Sequence, residues 1–182
     1  MAIVFEMWAE CSTQAACAAL MAHFSGLELN LLTGRTVSWA ACAEGDAPAM
    51  TAWSSDLSRR GVRTLQDALE ATECGIRLHH HLRVGPDFRF ARIAWEASLV
   101  SAADLGEYVT QQPSGRPRLD LQCVLDDALY RQLGSPEGYV LFRDGYWWQR
   151  YLGERYLPLL GNDQSQLNDL CRALLPEYFG GP

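Results

Sequence analysis

The segment that most restricts the fold is YVLFRDGYWWQR, residues 139–150, where Asp144-Gly145 separates two runs rich in aromatic residues. Asp-Gly is typical of a type I′ turn, which needs positive φ at both central residues and joins antiparallel strands. Parallel strands would need a much longer crossover. We therefore predict an antiparallel hairpin here, which the apolar segment up to residue 160 extends into a three-strand meander.

Helix signals alternate with such strand signals. Apolar residues recur at helical spacing after polar N-cap residues, and glycine marks several helix ends. The second predicted helix, for example, ends at Gly75. The predicted helices begin at Ser12 or Thr13, cover 64–74, 101–109 and 126–134, and begin again at Asn162 or Asp163.

Further strands are predicted at residues 3–9, within 27–42, and at 76–84 and 88–97, the last two joined around Gly85-Pro86-Asp87. Tight hairpins and short helices in this order are typical of an α+β fold. We expect antiparallel sheets with the helices packed mainly on one face.

The polar segment QQPSGRPR, residues 111–118, is the best candidate for a linker because proline and glycine interrupt helices and strands. It divides the chain into an N-terminal α+β half, 1–110, and a C-terminal helix-meander-helix half, 119–182. With 182 residues in all, we expect the halves to pack as one compact unit.

The charge balance limits the partners. The formal net charge is -7, which argues against duplex DNA and anionic membranes because both require a cationic protein surface. All 15 basic residues are arginine, so lysine-dependent chemistry is excluded. We attribute the missing lysine to codon bias in a GC-rich genome and expect a bacterial or phage source.

The six cysteines have long, irregular spacings, which match neither a zinc ribbon nor a thioredoxin-like motif. The N-terminus lacks the basic region of a signal peptide, since the first arginine is Arg35. We therefore expect a cytoplasmic protein with reduced, mostly buried thiols and no cofactor. Cys11, at a predicted helix N-terminus, could be a nucleophile, but an inert structural thiol is favoured.

Three consecutive histidines lie in IRLHHHLRV, residues 76–84. On a strand, side chains alternate between faces, so His80 would join the apolar face and the other two histidines the polar face. That polar face and the next strand would carry a concentration of positive groups that suits phosphate or carboxylate. The candidate anion-binding residues are Arg77, His79, His81, Arg83, Arg89 and Arg92.

A metal ion held by His79 and His81 is a weaker alternative. The flanking arginines would repel a cation, and no third ligand follows at a recognised spacing. We predict no metal site. An ordinary solvated sheet face also remains open.

The aromatic meander is the second candidate surface. Alternation across the predicted turn gives one face that carries both tyrosine or tryptophan and arginine, the residue types enriched in protein-binding hot spots. The candidate partner-binding residues are Arg143, Tyr146, Trp148 and Arg150. Burial of this face beneath the last helix is the alternative.

The recognised catalytic motifs of hydrolases, metalloproteases and nucleotide-binding enzymes are absent from the sequence. The sequence therefore favours a protein-binding accessory module, for instance a toxin-neutralising protein whose acidic surface covers a basic partner. The alternative is an enzyme or ligand-binding domain for a small phosphorylated or carboxylated molecule, with residues 77–83 holding the anion. A homodimer through an exposed strand edge stays open.

Overall fold

The structure of the chain is a computed structural model that describes residues 4–57, 61–154 and 161–174, the side chains of 161–164 excepted. The helices within these ranges are α1 Gln14–Phe24, α2 Leu65–Val84, α3 Leu105–Tyr108, α4 Asp127–Gln132 and α5 Gly161–Leu174. The strands are β1 Phe5–Glu10, β2 Glu28–Asn30, β3 Thr36–Ser38, β4 Ala40–Ala43, β5 Ala49–Trp53, β6 Phe90–Trp95, β7 Val109–Gln111, β8 Pro117–Leu119, β9 Cys123–Asp126, β10 Tyr139–Arg143 and β11 Tyr146–Gln149.

Seven strands form one sheet in the order β10-β11-β9-β6-β1-β5-β4. Every neighbouring pair in it is antiparallel. Two small sheets, β2-β3 and β7-β8, complete the described strands. The α+β class with antiparallel sheets is therefore confirmed.

Both faces of the large sheet are buried. Consecutive strand residues belong alternately to two apolar clusters, as the alternation of side chains in strands requires. The main cluster includes Ala91, Val124 and Trp148 and is covered by residues of α1, α2 and α5. The second includes Phe90, Leu125 and Trp147 and is covered by α3, α4 and the segment around residue 100. Packing of the helices mainly on one face is therefore not confirmed.

Local signals explain the starts of the two long helices. The Thr13 hydroxyl accepts a hydrogen bond from the backbone N–H of Ala16, so the predicted cap of α1 is present. Helix α2 begins with a capping box in which the Thr64 hydroxyl accepts from the Asp67 N–H and the Asp67 carboxylate accepts from the Thr64 N–H. Such caps satisfy donors that the first helical turn leaves unpaired.

The predicted strand 76–84 and its hairpin with 88–97 are wrong. Residues 65–84 form one helix of 20 residues, α2, which passes through Gly75 without ending. The buried positions Ala71, Cys74, Leu78 and Leu82 lie three or four residues apart, which is helical spacing. The period-two pattern of Ile76, Leu78 and Leu82 fits this helix as well as it fits a strand.

The predicted meander is a two-strand hairpin in the described residues, and its third strand lies partly outside them. At the turn, Gly145 has positive φ but Asp144 does not, so the type I′ prediction is wrong. A register shift between Leu141 and Arg143 marks a bulge. The bulge moves the residues before it onto the opposite face, because one extra residue inverts the alternation.

The predicted linker 111–118 contributes to the hairpin β7-β8. Across it, β6 from the first half pairs with β9 from the second. The large sheet thus takes strands from both halves. Strand β5 was not predicted, although the turn-forming residues Gly45, Asp46 and Pro48 directly precede it.

Within the described ranges, no helix combines the length and apolar character that crossing a bilayer requires.

Candidate functional site

The predicted anion-binding residues do not form one surface, because α2 is a helix. Arg77 donates two hydrogen bonds to Glu73, one turn away, at 2.6 and 2.8 Å. Glu73 is buried and also accepts from the backbone N–H of Leu32 at 3.0 Å. The Arg77 charge is therefore used to neutralise a buried carboxylate that ties α2 to the β2-β3 hairpin.

His79 lies in the main core, with 2% of its surface exposed. Its Nδ1 is 2.7 Å from the carbonyl oxygen of Gly75, so Nδ1–H donates to it. The ring packs against Trp148 and Tyr151, with centroids 5.2 and 5.1 Å away. Burial lowers the pKa of His79 to about 4. A neutral, enclosed imidazole cannot provide an external anion with a positive charge.

The burial of His80 and His81 also differs from the prediction. His80, predicted to be buried, is exposed. His81 is half-buried beside His23, whose Nε2 is 3.2 Å from the His81 carbonyl oxygen. Burial lowers the pKa of His81 as well. Within the described residues, no group of three or more possible ligands is arranged to hold a metal ion.

The remaining predicted cations are dispersed. The Arg83 guanidinium stacks on Phe142 at 5.1 Å. Arg89 precedes β6 and is half-buried. Arg92, within β6, reaches a cavity that is described below.

Arg143 is a structural residue. Its side chain is 16% exposed, and its Nη1 donates to the carbonyl oxygen of Gly85 at 2.6 Å, immediately after α2. Further bonds reach Pro86 at 3.3 Å and the Asp87 carboxylate at 3.0 Å. The guanidinium also stacks on Tyr146, 4.1 Å from the ring centre. Arg143 therefore closes the C-terminal end of α2, where carbonyl groups lack helical partners.

The predicted exposure of the aromatic face is wrong. Tyr146 is 7% exposed and Trp148 is fully buried, because both lie with Phe142 on the sheet face that the main cluster covers. Tyr139 and Trp147 belong to the other cluster. Arg150 is exposed. In this conformation Trp148 cannot contact a partner.

The cysteine thiols are structural. All six are free, and only Cys42 is not fully buried. Burial and the neighbouring Cys17 raise the pKa of Cys11 to about 12. This increase outweighs any lowering of the thiol pKa by the nearby N-terminus of α1. Burial likewise raises the pKa of Cys74 and of Cys123 to about 12. Thiols of this kind are poor nucleophiles.

An acidic cleft lies at the turn of the β10-β11 hairpin. Its volume is about 450 Å³. Four segments meet there: the turn after α2, the start of α1, the junction of β9 and α4, and the hairpin turn. Its lining includes three carboxylates and no arginine: Ser12, Ala16, Asp87, Phe88, Asp126, Asp144, Gly145 and Tyr146.

The carboxylates of this cleft differ in their exposure and in their hydrogen bonds. Asp126 accepts from the backbone N–H of Leu129 at 2.7 Å and caps α4. Asp87 is 88% exposed although it pairs with Arg143. Asp144 is exposed at the hairpin turn. The cleft therefore has two exposed carboxylates, Asp144 and the Arg143-paired Asp87, beside a third that caps α4.

A second cavity of about 230 Å³ lies beside the end of β6. Arg92 and Glu154 lie on its wall, together with Ile93, Ala94, Gly153 and residues 120–122. Burial raises the pKa of Glu154, against the opposing effect of hydrogen bonds from Tyr151 and Trp95. A carboxyl group of raised pKa in a cavity is a candidate for binding.

Neither the acidic cleft nor the second cavity was predicted from the sequence. In the sequence, the aspartates of the cleft lie at turns and at a helix start, and only the fold brings them together. Glu154 had a weak signal: it is a carboxylate among aromatic residues in YLGERY. Such a residue requires hydrogen-bond partners if the segment is buried.

Comparison of this chain with protein-family models, with characterised proteins and with solved structures gave no significant match.

Proposed function

We propose that this chain is a protein-binding module that holds a basic protein partner at the acidic cleft, as an accessory or toxin-neutralising protein. The observation that carries the proposal is the position of the cleft, which lies at the end of an open edge strand. Asp144 and Gly145 line the cleft and also form the turn that follows β10. Charge complementarity and strand pairing could therefore act on one partner together.

The edge strand supports this proposal. Strand β10 pairs on one side with β11 and is the last strand of the described sheet on that side. Leu141 in its centre is 57% exposed. An edge strand with unpaired backbone groups is a template for an added strand, and an exposed apolar side chain gives an added strand a contact.

The distribution of charge also supports a basic partner. Many arginines pair with carboxylates inside the molecule: Arg35, Arg77, Arg116, Arg118, Arg131, Arg143 and Arg172. These pairs neutralise much of the positive charge, and the net charge of -7 leaves carboxylates in excess. Among the described residues of the cleft, Asp144 is in none of these pairs. Acidic surfaces attract basic proteins and accelerate their association.

Photo-crosslinking from the edge strand identifies the partner. Leu141 is replaced by a photoreactive phenylalanine in cells that naturally produce the protein, and Leu99, which is 73% exposed, is the control position. We expect one basic protein to crosslink from position 141 and not from 99. No product, an acidic product or equal crosslinking from both positions contradicts the proposal.

Titration of the purified pair then tests the cleft. Asp87→Asn together with Asp144→Asn removes two negative charges, and asparagine preserves the turn because it tolerates the same conformations. We expect the Kd to rise about tenfold, about 1.4 kcal/mol, with a weaker dependence on salt. The matched control, Glu28→Gln with Glu107→Gln, removes the same charge at exposed positions elsewhere and should leave Kd unchanged. Equal effects of both pairs would show that only net charge matters.

A further inference from the structure

Strand β6 extends past its neighbour β9, and the sheet opens there. β6 pairs with β1 along its whole length, from Phe90 to Trp95. It pairs with β9 only from Phe90 to Arg92. Before β9 the chain turns aside, with the Cys123 N–H donating to the Leu121 carbonyl oxygen at 2.8 Å. The second cavity occupies this gap, with Ile93 and Ala94 on its wall. Buried backbone polar groups require partners, so such a gap favours a polar occupant.

The guanidinium of Arg92 is available to an anion in this cavity. Among the described residues, its hydrogen bonds run from Nη1 to the carbonyl oxygens of Glu96 and Ala97, at the long distances of 3.5 and 3.4 Å. Among the described residues, Arg92 forms no ion pair, in contrast to Arg77 and Arg143, although its charge acts on Glu154 from a longer distance. Since a guanidinium has five N–H donors, most remain for a carboxylate, which it binds in a two-pronged geometry.

Glu154 has the opposite role. Its Oε1 accepts the Tyr151 hydroxyl at 2.6 Å, and it also accepts a hydrogen bond from Trp95. Its backbone N–H donates to the Thr72 hydroxyl at 2.9 Å, which anchors it to α2. Because the protein gives this carboxyl group donors only, its remaining lone pairs suit a further donor from a ligand. A ligand cation would also offset the burial that raises its pKa.

We propose that this cavity binds a small α-amino acid, with the ligand carboxylate on Arg92 and the ligand ammonium on Glu154. The volume of about 230 Å³ is below the roughly 300–1,000 Å³ of pockets for drug-sized ligands, which suits a molecule of this size. Asp120, also on the wall, already pairs with Arg118 at 2.7 Å, so the guanidinium and Glu154 dominate the recognition. This site is independent of the partner surface at the acidic cleft.

Amide NMR spectra of the full chain test the proposal without a variant. Individual amino acids are titrated to millimolar concentration, alongside propionate, which lacks the ammonium, and ethylamine, which lacks the carboxylate. We expect saturable shifts for one or a few amino acids, centred on the amides of Ile93, Ala94, Leu121, Gln122 and Gly153. Propionate and ethylamine should bind at least about tenfold more weakly, because each lacks one charged contact.

Variants then assign the two contacts. Arg92→Gln should weaken amino-acid binding at least about tenfold, while Arg89→Gln, just before the same strand and outside the cavity, should not. Glu154→Gln keeps an acceptor for Tyr151 and Trp95, and it should abolish the preference for the amino acid over propionate. The proposal is overturned if no amino acid binds, if the shifts map elsewhere, or if Arg92→Gln binds like wild type. If Arg92→Gln fails to fold, the wild-type shift map and the two analogues still decide the question.

Discussion

His79 shows how the core uses a titratable residue. Its ring is enclosed by aromatic side chains and is fixed by one hydrogen bond to the Gly75 carbonyl oxygen. Two glutamates of β1, the buried Glu6 and the half-buried Glu10, serve the fold in the same way: Glu6 accepts from the Ser98 N–H and Glu10 from the Ala102 N–H, each at 2.7 Å. Polar residues that would attract a functional interpretation thus satisfy backbone donors in the interior.

The buried imidazole makes stability depend on pH. The pKa of His79 is about 4 in the folded chain against 6.5 for a free histidine side chain, so between these values the unfolded chain binds the proton more readily. Stability is unaffected by this group above pH 6.5 and decreases as the pH falls towards 4. From pH 7.5 to pH 5 we expect His79 to account for a loss of about 2 kcal/mol in the free energy of unfolding.

Urea unfolding of wild type and His79→Phe at both pH values measures this contribution. The variant should lose about 2 kcal/mol less than wild type on acidification, whatever its stability at pH 7.5. His80→Gln is the matched control, because His80 is exposed on the next position of the same helix. An identical pH dependence in wild type and His79→Phe would contradict the prediction.

Position 75, within helix α2, is a glycine because the space beside it is already occupied. A Cβ built on Gly75 would lie 2.5 Å from Cζ of the Tyr151 ring. Tyr151 is itself buried and is hydrogen-bonded to Glu154. The glycine therefore serves a close contact between the helix and the segment after β11, not a helix end.

We expect Gly75→Ala to destabilise the chain by about 1–3 kcal/mol, the range for overpacking a core, although alanine is the better helix former. The measurement is the midpoint of urea unfolding. Gly106→Ala in α3 is the control: no atom lies within 4 Å of its built Cβ, so alanine should be neutral or stabilising there. A stabilised Gly75→Ala would show that the contact with Tyr151 is loose.

These elements show what the sequence could and could not predict. Caps, turns and periodicity were sufficient for β1, α1, α4 and the β10-β11 hairpin, because local interactions determine them. The strand predicted at 76–84 was wrong because its apolar positions fit the helical period as well as the strand period. In addition, Gly75, which is needed for the close contact with Tyr151, resembled the end of a helix. The bulge in β10 depends on pairing with β11, and the aromatic residues are buried on both faces of the sheet because each face is covered by a different set of segments. Both candidate sites depend on contacts between distant segments, which spacing does not report.

The large sheet makes the chain one cooperative unit in our interpretation. Its centre is the seam between β6 and β9, which joins strands from before and after residues 111–118. Side chains at this seam enter both apolar clusters: Val124 enters the main cluster and Leu125 the second. A destabilising substitution at the seam should therefore destabilise the strands on both sides of it.

Leu125→Ala tests this coupling. Leu125 is fully buried, so we expect a loss of about 3 kcal/mol in the free energy of unfolding. If unfolding is a single transition, amide hydrogen exchange through global opening accelerates by the same factor in β5 and in β11, because both report one opening. Leu99→Ala, at a 73% exposed position, should not change the exchange rates of either strand. Acceleration in β11 alone would mean that the two halves open independently and that the β6-β9 seam does not couple them.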